Sequence, residues 1–405
     1  MSWRSVQLSD IAANIQTGPF GSQLHQSDYS EIGIPVVMPK DLIGGKISQD
    51  SIARVSEAHV QRLSRHIIQK DDILYSRRGD VGRCALATDY EAGWLCGTGC
   101  LKVTINTSKA NPKFIFYQLQ QPATVGWVEK HAVGATMLNL NTTILGNVPL
   151  WLPQMDVQNH IVNILSAYDD LIENNQKQIK LLEEAAQRLY KEWFVDLHFP
   201  GYEHTKIVDG VPEGWKACCL DDVIEFDPKV HLDKNRMKQF VPMSALSTSS
   251  MVLDINEISK TMSNSGSKFQ NGDTLLARIT PCLENGKTAF VHGIKAKEGA
   301  VGSTEYIVMR SKKLNPYMVY LLSRTNEFRQ YAVNSMSGSD GRQRVKADKL
   351  KALACLLPPA GLMYSFEQIA SPMFEMVFSL NEQIFAAKQA RDHLLPMLMK
   401  GEVEV

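Results

Sequence analysis

The chain contains no run of 18 apolar residues, so no segment suits a membrane-spanning helix and no membrane partner is expected. Its first residues, MSWRSVQLSD, lack a basic-then-apolar leader, which makes the cytoplasm the expected location. Cysteine is scarce and odd in number, seven in 405 residues, and spread unevenly through apolar stretches. That excludes a disulfide framework and reads as reduced, buried thiols. Cys96 and Cys100 are spaced C-x3-C, but no second Cys/His pair stands at a matching distance, so no metal site is expected.

Catalytic signatures are missing as well. There is no glycine fingerprint for a dinucleotide, no Gly-x-Ser-x-Gly elbow and no Asn/Asp-Pro-Pro-Tyr/Phe methyltransferase motif, and the ten histidines are scattered. Pro281-Cys282-Leu283-Glu284-Asn285-Gly286-Lys287-Thr288 ends like a phosphate-binding loop. Pro281 stands where the first glycine belongs and no strongly apolar strand leads in, so a nucleotide-dependent hydrolase centred on Lys287 and Thr288 is a rival reading with little behind it. No enzyme and no bound cofactor are expected of this chain.

Net charge is also absent, with 43 basic and 43 acidic residues, which taken alone argues against nucleic acid. The average conceals a segregation. Residues 1–155 carry 14 basic against 12 acidic side chains and residues 205–349 carry 21 against 16, whereas residues 156–196 carry 4 against 8. A phosphate-facing side on the two basic segments is therefore compatible with the neutral total.

What the chain does have is length for two or more domains, 44% hydrophobic residues, and an internal repeat at a period of about 205 residues. Asp72-Ile73-Leu74-Tyr75-Ser76-Arg77 answers to Asp273-Thr274-Leu275-Leu276-Ala277-Arg278, and Gly82-Arg83 to Gly286-Lys287. Asn111-Pro112 meets Asn315-Pro316, Pro153 meets Pro358, and Gln178-Ile179 meets Gln383-Ile384. So long a period marks a duplicated domain with its helix rather than a solenoid unit. Two similar surfaces related by a pseudo-twofold axis suit a partner that is itself nearly twofold, such as duplex DNA.

Each copy opens on a Trp-led strand pattern, from Trp3 and from Gly214, and continues in short β-type runs punctuated by Gly, Asp and Asn. Helix is expected around Phe114 to Gln121 and Tyr317 to Arg324. Each copy is thus an α+β, mostly β domain, and each ends in a long helix. In the first helix Ile161, Leu165, Tyr168, Ile172, Asn175, Ile179, Leu182, Ala186, Leu189 and Trp193 follow coiled-coil spacing; in the second Phe366, Ile369, Met373, Met376, Leu380, Gln383, Ala387, Ala390, Leu394 and Met397 do. The interior amides Asn175 and Gln383 are candidate register residues, because only one alignment satisfies their hydrogen bonds. Pro372 predicts a fresh start capped by Ser371 or a kink, and Pro396 a stop. Helices of this length span about 50–60 Å and, packed antiparallel, would separate the two domains. Residues 1–155 and 214–359 read as the domains, 156–197 and 360–405 as the helices, and 198–213 as a linker without periodicity.

Arginine and amide side chains cluster on two kinds of loop. Ser76-Arg77-Arg78-Gly79-Asp80-Val81-Gly82-Arg83 places three guanidinium groups after a strand, and the second copy has Arg278 and Lys287 there. Later come Gly134-Ala135-Thr136-Met137-Leu138-Asn139-Leu140-Asn141 and Ser337-Gly338-Ser339-Asp340-Gly341-Arg342-Gln343-Arg344-Val345-Lys346. Asn and Gln amides pair with adenine and Arg with guanine, and loops that differ on like scaffolds fit two readers of different half-sites. The plain alternative is a pair of solvated turns. The candidate DNA contacts are Ser22, Gln23, Lys40, Arg77, Arg78, Arg83, Asn139 and Asn141 in the first copy, and Lys229, Arg278, Lys287, Arg342, Gln343, Arg344 and Lys346 in the second.

Domain, helix, domain, helix, in that order, with Thr17-Gly18-Pro19-Phe20-Gly21-Ser22 near the start, Pro153-x4-Gln158-x2-Ile161 entering the first helix, Phe366-Glu367-Gln368 in the second and Met399-Lys400-Gly401 at the end, resembles the specificity subunit of type I restriction-modification enzymes. The second copy departs from the entry signature, with Phe226-Asp227-Pro228-Lys229 in its place. The resemblance implies a non-catalytic reader with two target-recognition domains, each reading half of a bipartite site in double-stranded DNA, and paired helices that set the spacer. It further implies docking of two modification subunits that use S-adenosylmethionine, and of motor-nuclease restriction subunits that use ATP and magnesium. The alternatives are a specificity partner in another methyltransferase or restriction assembly and a coiled-coil scaffold that binds protein.

Overall fold

A computed structural model of the chain describes residues 3–134, 137–295, 299–339 and 341–403, so Ala135, Thr136 and Asp340 of the two polar loops lie outside the described residues. The chain divides into two compact units, Met1–Asp170 with Ala387–Val405, and Leu171–Ala386. Both are mixed α/β.

One sheet of each unit reproduces the duplication strand for strand. The first unit holds a four-stranded sheet in the order Ala12–Thr17, Cys100–Ile105, Ile73–Ser76, Cys84–Leu86, all antiparallel. The second unit repeats it with Ile224–Phe226, Tyr306–Ser311, Thr274–Ala277 and Thr288–Phe290. Ile73–Ser76 and Thr274–Ala277 are buried at every residue, which is why they read as apolar runs and not as alternation. A second sheet in each unit has one parallel pairing, Leu95–Cys96 on Ile34–Val37 and Ala300–Gly302 on Lys238–Val241. A two-stranded ribbon then ties entry to exit: Arg4–Gln7 pairs with Pro149–Leu152, and Lys216–Cys219 with Ala354–Leu357.

The repeated Asp and Asn residues have structural work. Asp72 and Asp273 each accept the backbone N–H three residues earlier, from Gln69 and Gln270 at 2.8 Å, and so close the turn before the central strand. Both carboxylates are buried and both are compensated, but by different cations: Lys102 at 3.3 Å from Asp72, and a two-bond Arg310 fork on Asp273 at 2.7 Å. Asn111 and Asn315 cap the helices Pro112–Leu119 and Pro316–Ser323, with the following proline at the first helical position where no N–H is missed. Both helices fall where expected.

The first long helix runs Met155–Tyr190 and closes with a π-helical turn, Lys191–Val195; the second runs Ala360–Lys400 without a break. At 1.5 Å per residue they are about 54 and 62 Å long. Two expectations are corrected here: the second helix makes no fresh start at Pro372, and Pro396 does not end it. A proline removes one helical hydrogen bond, at the carbonyls of Gln368 and Asp392, but both of those residues are exposed, so water can take the vacant acceptor while burial of the opposite face holds the helix. The second seam holds at Phe366, Leu380 and Ala387, which are buried, but is displaced by one position between them. Ile369 and Met376 are 41% and 51% exposed, while Ala370, Phe374, Val377, Ile384 and Leu398 are buried.

Within the second unit the two helices run antiparallel: Tyr190, Trp193 and Phe194 gather around the fully buried Phe366, with centroids 6.1, 5.9 and 5.0 Å away, and Asn175 donates to Gln383 at 3.1 Å. Within the first unit the same sense holds, since Ile161 and Leu165 share a core with Leu398, and Arg391 donates to Asp169 at 2.8 Å. The latter carboxylate also accepts from Tyr117 of the first domain, which joins domain to helix pair. The second helix ends on Gly401, at φ +69, where a Cβ would stand 2.7 Å from the Trp3 indole nitrogen. This is the physical content of the terminal Met-Lys-Gly: a left-handed cap with the opening tryptophan lying over it.

The expected linker is partly structured. Ile207–Val208 and Val211–Pro212 form a hairpin about Asp209-Gly210, both at positive φ. An Asp-Gly pair between short β-formers carried that signal in the sequence.

Candidate nucleic-acid interface

In each unit the strand-end loop and the later polar loop meet edge to edge. Leu140 N–H donates to Arg77 O and Gly79 N–H to Leu138 O, and Arg78 bridges to Asn139. In the second unit Val345 N–H donates to Arg278 O and Thr280 N–H to Gln343 O, and Ile279 bridges to Arg344. The hydrogen bonds therefore keep Arg77 against Arg278, as the sequence aligned them, and add the equivalences of Arg78 to Ile279 and Asn139 to Arg344. Arg77 N–H donates to Gly99 O and Arg278 N–H to Glu305 O, so Gly99 corresponds to Glu305.

Arg77 and Arg278 share an unusual state. Each is half-buried, and each has its Nε buried with no hydrogen-bond partner. Burial, then the neighbouring Arg78 guanidinium, push the Arg77 group below its ordinary pKa. A guanidinium held this way keeps unspent donor capacity, and a buried unpaired donor is costly unless something else supplies the acceptor. The Arg77 guanidinium carbon also lies 5.7 Å from the Phe20 ring centroid, and Phe20 is 54% exposed. That contact brings the Thr17-to-Ser22 signature to the arginine loop. Phe20 belongs to the candidate surface although it was not among the sequence candidates. Its signal was an aromatic residue between glycines, where burial is not expected.

The remaining candidates divide by how much of the side chain is already committed. Arg78, Ser22, Lys229, Arg342 and Lys346 are exposed. Arg83 pairs with Asp80 at 2.6 Å on its own loop. Asn141 Oδ1 accepts Ile144 N–H as the N-cap of Thr142–Gly146, which leaves only its amide donors for other use. Gln23 Oε1 likewise accepts Phe20 N–H and shapes the entry loop. Lys40 donates to Ser51 O at 2.8 Å and Lys287 to Met243 O at 2.9 Å, so both pin backbone. Asn139 Oδ1 is buried without a partner, and Gln343 is half-buried beside Thr280. Arg344 forks onto Glu305 through Nε at 2.9 and 3.0 Å and a terminal nitrogen at 2.7 Å. That fork, and after it the charge of Arg278, hold the Glu305 carboxyl below its ordinary pKa against the opposing effect of burial.

The phosphate-loop resemblance dissolves in the fold. An apolar strand, Thr274–Ala277, does lead into the segment, contrary to expectation, but a strand and not a helix follows, and Thr288 is buried in register with Leu276. No helix N-terminus stands there to receive a phosphate. Cys96 and Cys100 are buried, and burial pushes both thiols up, Cys96 to about 12. Among the described residues no group of three or more His, Cys, Asp or Glu could hold a metal, and no helix is long and apolar enough to cross a membrane.

Comparison with known proteins agrees with this geometry. Residues 2–184 match the family described as type I restriction modification DNA specificity domain. The type I restriction enzyme MjaIX specificity subunit of Methanocaldococcus jannaschii is 25% identical over 394 residues, covering 92% of this chain and 87% of that one. The HindI specificity subunit of Haemophilus influenzae is 20% identical over 467 residues, covering 99% of each. In fold, the type I restriction-modification S subunit of M. genitalium superposes with a TM-score of 0.61 at 14% identity, covering 98% of this chain and 96% of that one. With its duplicated sheets and its two long helices, the chain is similar along its length to type I restriction-modification specificity subunits, and its residues 2–184 match the family of type I DNA specificity domains.

Proposed function

We propose that the chain reads double-stranded DNA as a bipartite word, the domain of residues 1–155 taking one half and that of residues 214–359 the other. The two long helices set the unread spacer and dock two modification subunits, and motor-nuclease restriction subunits join that core. S-adenosylmethionine, ATP and magnesium are used by those partners. The observation that carries the reading is the pair Arg77 and Arg278: equivalent arginines, each with an unpaired buried Nε, on equivalent loops whose neighbours differ in chemistry. A common backbone frame with divergent side chains is what two half-sites of different sequence require.

Two measurements test this. The affinity of the full chain for duplex DNA should fall steeply with salt, with a logarithmic slope of about −0.9 per phosphate neutralised. A salt-independent affinity would instead favour a scaffold that binds protein. Adding one heptad to each helix lengthens the pair by about 10 Å, or three base pairs at 3.4 Å each, and should lengthen the preferred spacer with both half-sites unchanged. An unaltered spacer refutes the ruler.

A further inference from the structure

The two units differ at the position occupied by Gly99 in the first and Glu305 in the second. Each residue directly precedes the long strand beside the central one, and each carbonyl accepts the N–H of the equivalent arginine. The first unit therefore has no side chain at a point where the second has a carboxylate. That carboxylate is half-buried and takes the Arg344 fork by three contacts between 2.7 and 3.0 Å. The Arg344 backbone is fixed as well, bridged to both Ile279 and Ser337. Arg344 thus has its orientation fixed from two sides, with its side chain 40% exposed. In the first unit the equivalent Asn139 bridges in the same way to Arg78 and Val133, with no carboxylate beside it.

Resting on the DNA-reading function proposed above, we propose that Glu305 is a specificity-determining positioning residue of the second recognition domain: it presents the Arg344 guanidinium to one base pair in a single orientation. The Nε edge and one terminal nitrogen are engaged by Glu305 and the other terminal nitrogen makes a long 3.4 Å contact with Arg342 O, which leaves the second N–H of each terminal nitrogen, for which guanine O6 and N7 are fitting acceptors. A flexible arginine of the same charge would add affinity for any DNA; one locked by a carboxylate gives affinity only where the acceptor lies on its axis. Glu305 also offsets one positive charge, which lowers attraction to DNA of every sequence and so sharpens the contrast.

The test is selection of bound sequences from a randomised duplex library by the full-length chain and by Glu305→Gln and Arg344→Lys, which keep size or charge but break the fork. Both variants should lose preference at one base pair of the second half-site by about 5- to 150-fold, the range equivalent to one base contact. The first half-site should stay as in wild type, and Glu305→Gln should bind unrelated DNA at least as tightly as wild type. A second half-site unchanged in both variants overturns the proposal, as does an equal weakening on all sequences, which marks a structural role. Absence of any selected sequence with the wild-type chain overturns the DNA-reading function itself.

Discussion

Asn175 and Gln383 join the two long helices by one amide hydrogen bond, and their burial is unequal: Asn175 is 3% exposed, whereas Gln383 lies at the solvent edge of the contact. The bond therefore has unequal consequences when broken from each side. Asn175→Leu forfeits a hydrogen bond worth about 0.5–1.5 kcal/mol, leaves Gln383 free to bond water, and buries a leucine worth about 1.5–3 kcal/mol. The net should be a gain of about 1 kcal/mol. Gln383→Leu adds little burial at an exposed position and strands the buried Asn175 amide, which costs about 1–3 kcal/mol. Urea unfolding followed by helical circular dichroism should then rank the midpoints Asn175→Leu, wild type, Gln383→Leu, with similar slopes. In the double variant the penalty should vanish, because no polar group is left stranded. Equal effects, or the reverse order, would refute the assignment of Asn175 as the buried member and with it the one-register argument for this pair.

Arg342→Ala should change preference in the second half-site only, by about 1–3 kcal/mol if the contact is to a base, as read from binding to duplexes varied one position at a time. Uniform weakening would assign Arg342 to phosphate. Gly401→Ala should cost about 1–2 kcal/mol, because the residue sits at φ +69 and its Cβ would crowd Trp3; an unchanged thermal midpoint would refute that account of the terminal cap. Glu183 has its carboxyl raised above the ordinary 4.5 chiefly by burial, although one oxygen accepts both Met251 N–H and Ser250 Oγ. The folded chain thus holds that proton more tightly than the unfolded chain, and stability is lost as pH rises from about 4.5 through the folded value. Glu183→Gln keeps an acceptor and never ionises, so its thermal midpoint should lack that slope and match or exceed wild type at neutral pH.

Much of the architecture was legible because it rests on local rules. The helices expected around Phe114 and Tyr317 are local as well, each beginning at an Asn-Pro pair whose capping side chain and first-position proline are preferences of the isolated chain. Asp72 and Asp273 flagged the two central strands, and the long helices followed from their spacing. The Asp209-Gly210 hairpin was equally local and was overlooked within a segment read only for periodicity. Part of the second helix's seam was misplaced because Ile369, Met373 and Met376 and the buried Ala370, Phe374 and Val377 are both apolar rows one residue apart; composition cannot choose between such rows. Which row turns inward depends on what packs there, here the rings of Phe290, Tyr317 and Tyr320 around Phe374.

At the candidate interface the division is sharper. The arginines and amides were visible as residue types on loops, but their availability was not. Lys40, Lys287, Arg344 and Asn141 are bound by partners at separations of 11, 44, 39 and 3 residues, so only the fold could tell the long-range cases from exposed ones. By itself the amino-acid order determined a doubled chain, two β-rich domains and two long amphipathic helices, because periodicity, capping and repetition act over a few residues at a time. Tertiary structure alone decided that Asn139 answers to Arg344 and Gly99 to Glu305, because those equivalences are set by backbone hydrogen bonds between segments far apart in the chain, at positions where the side chains of the two copies differ.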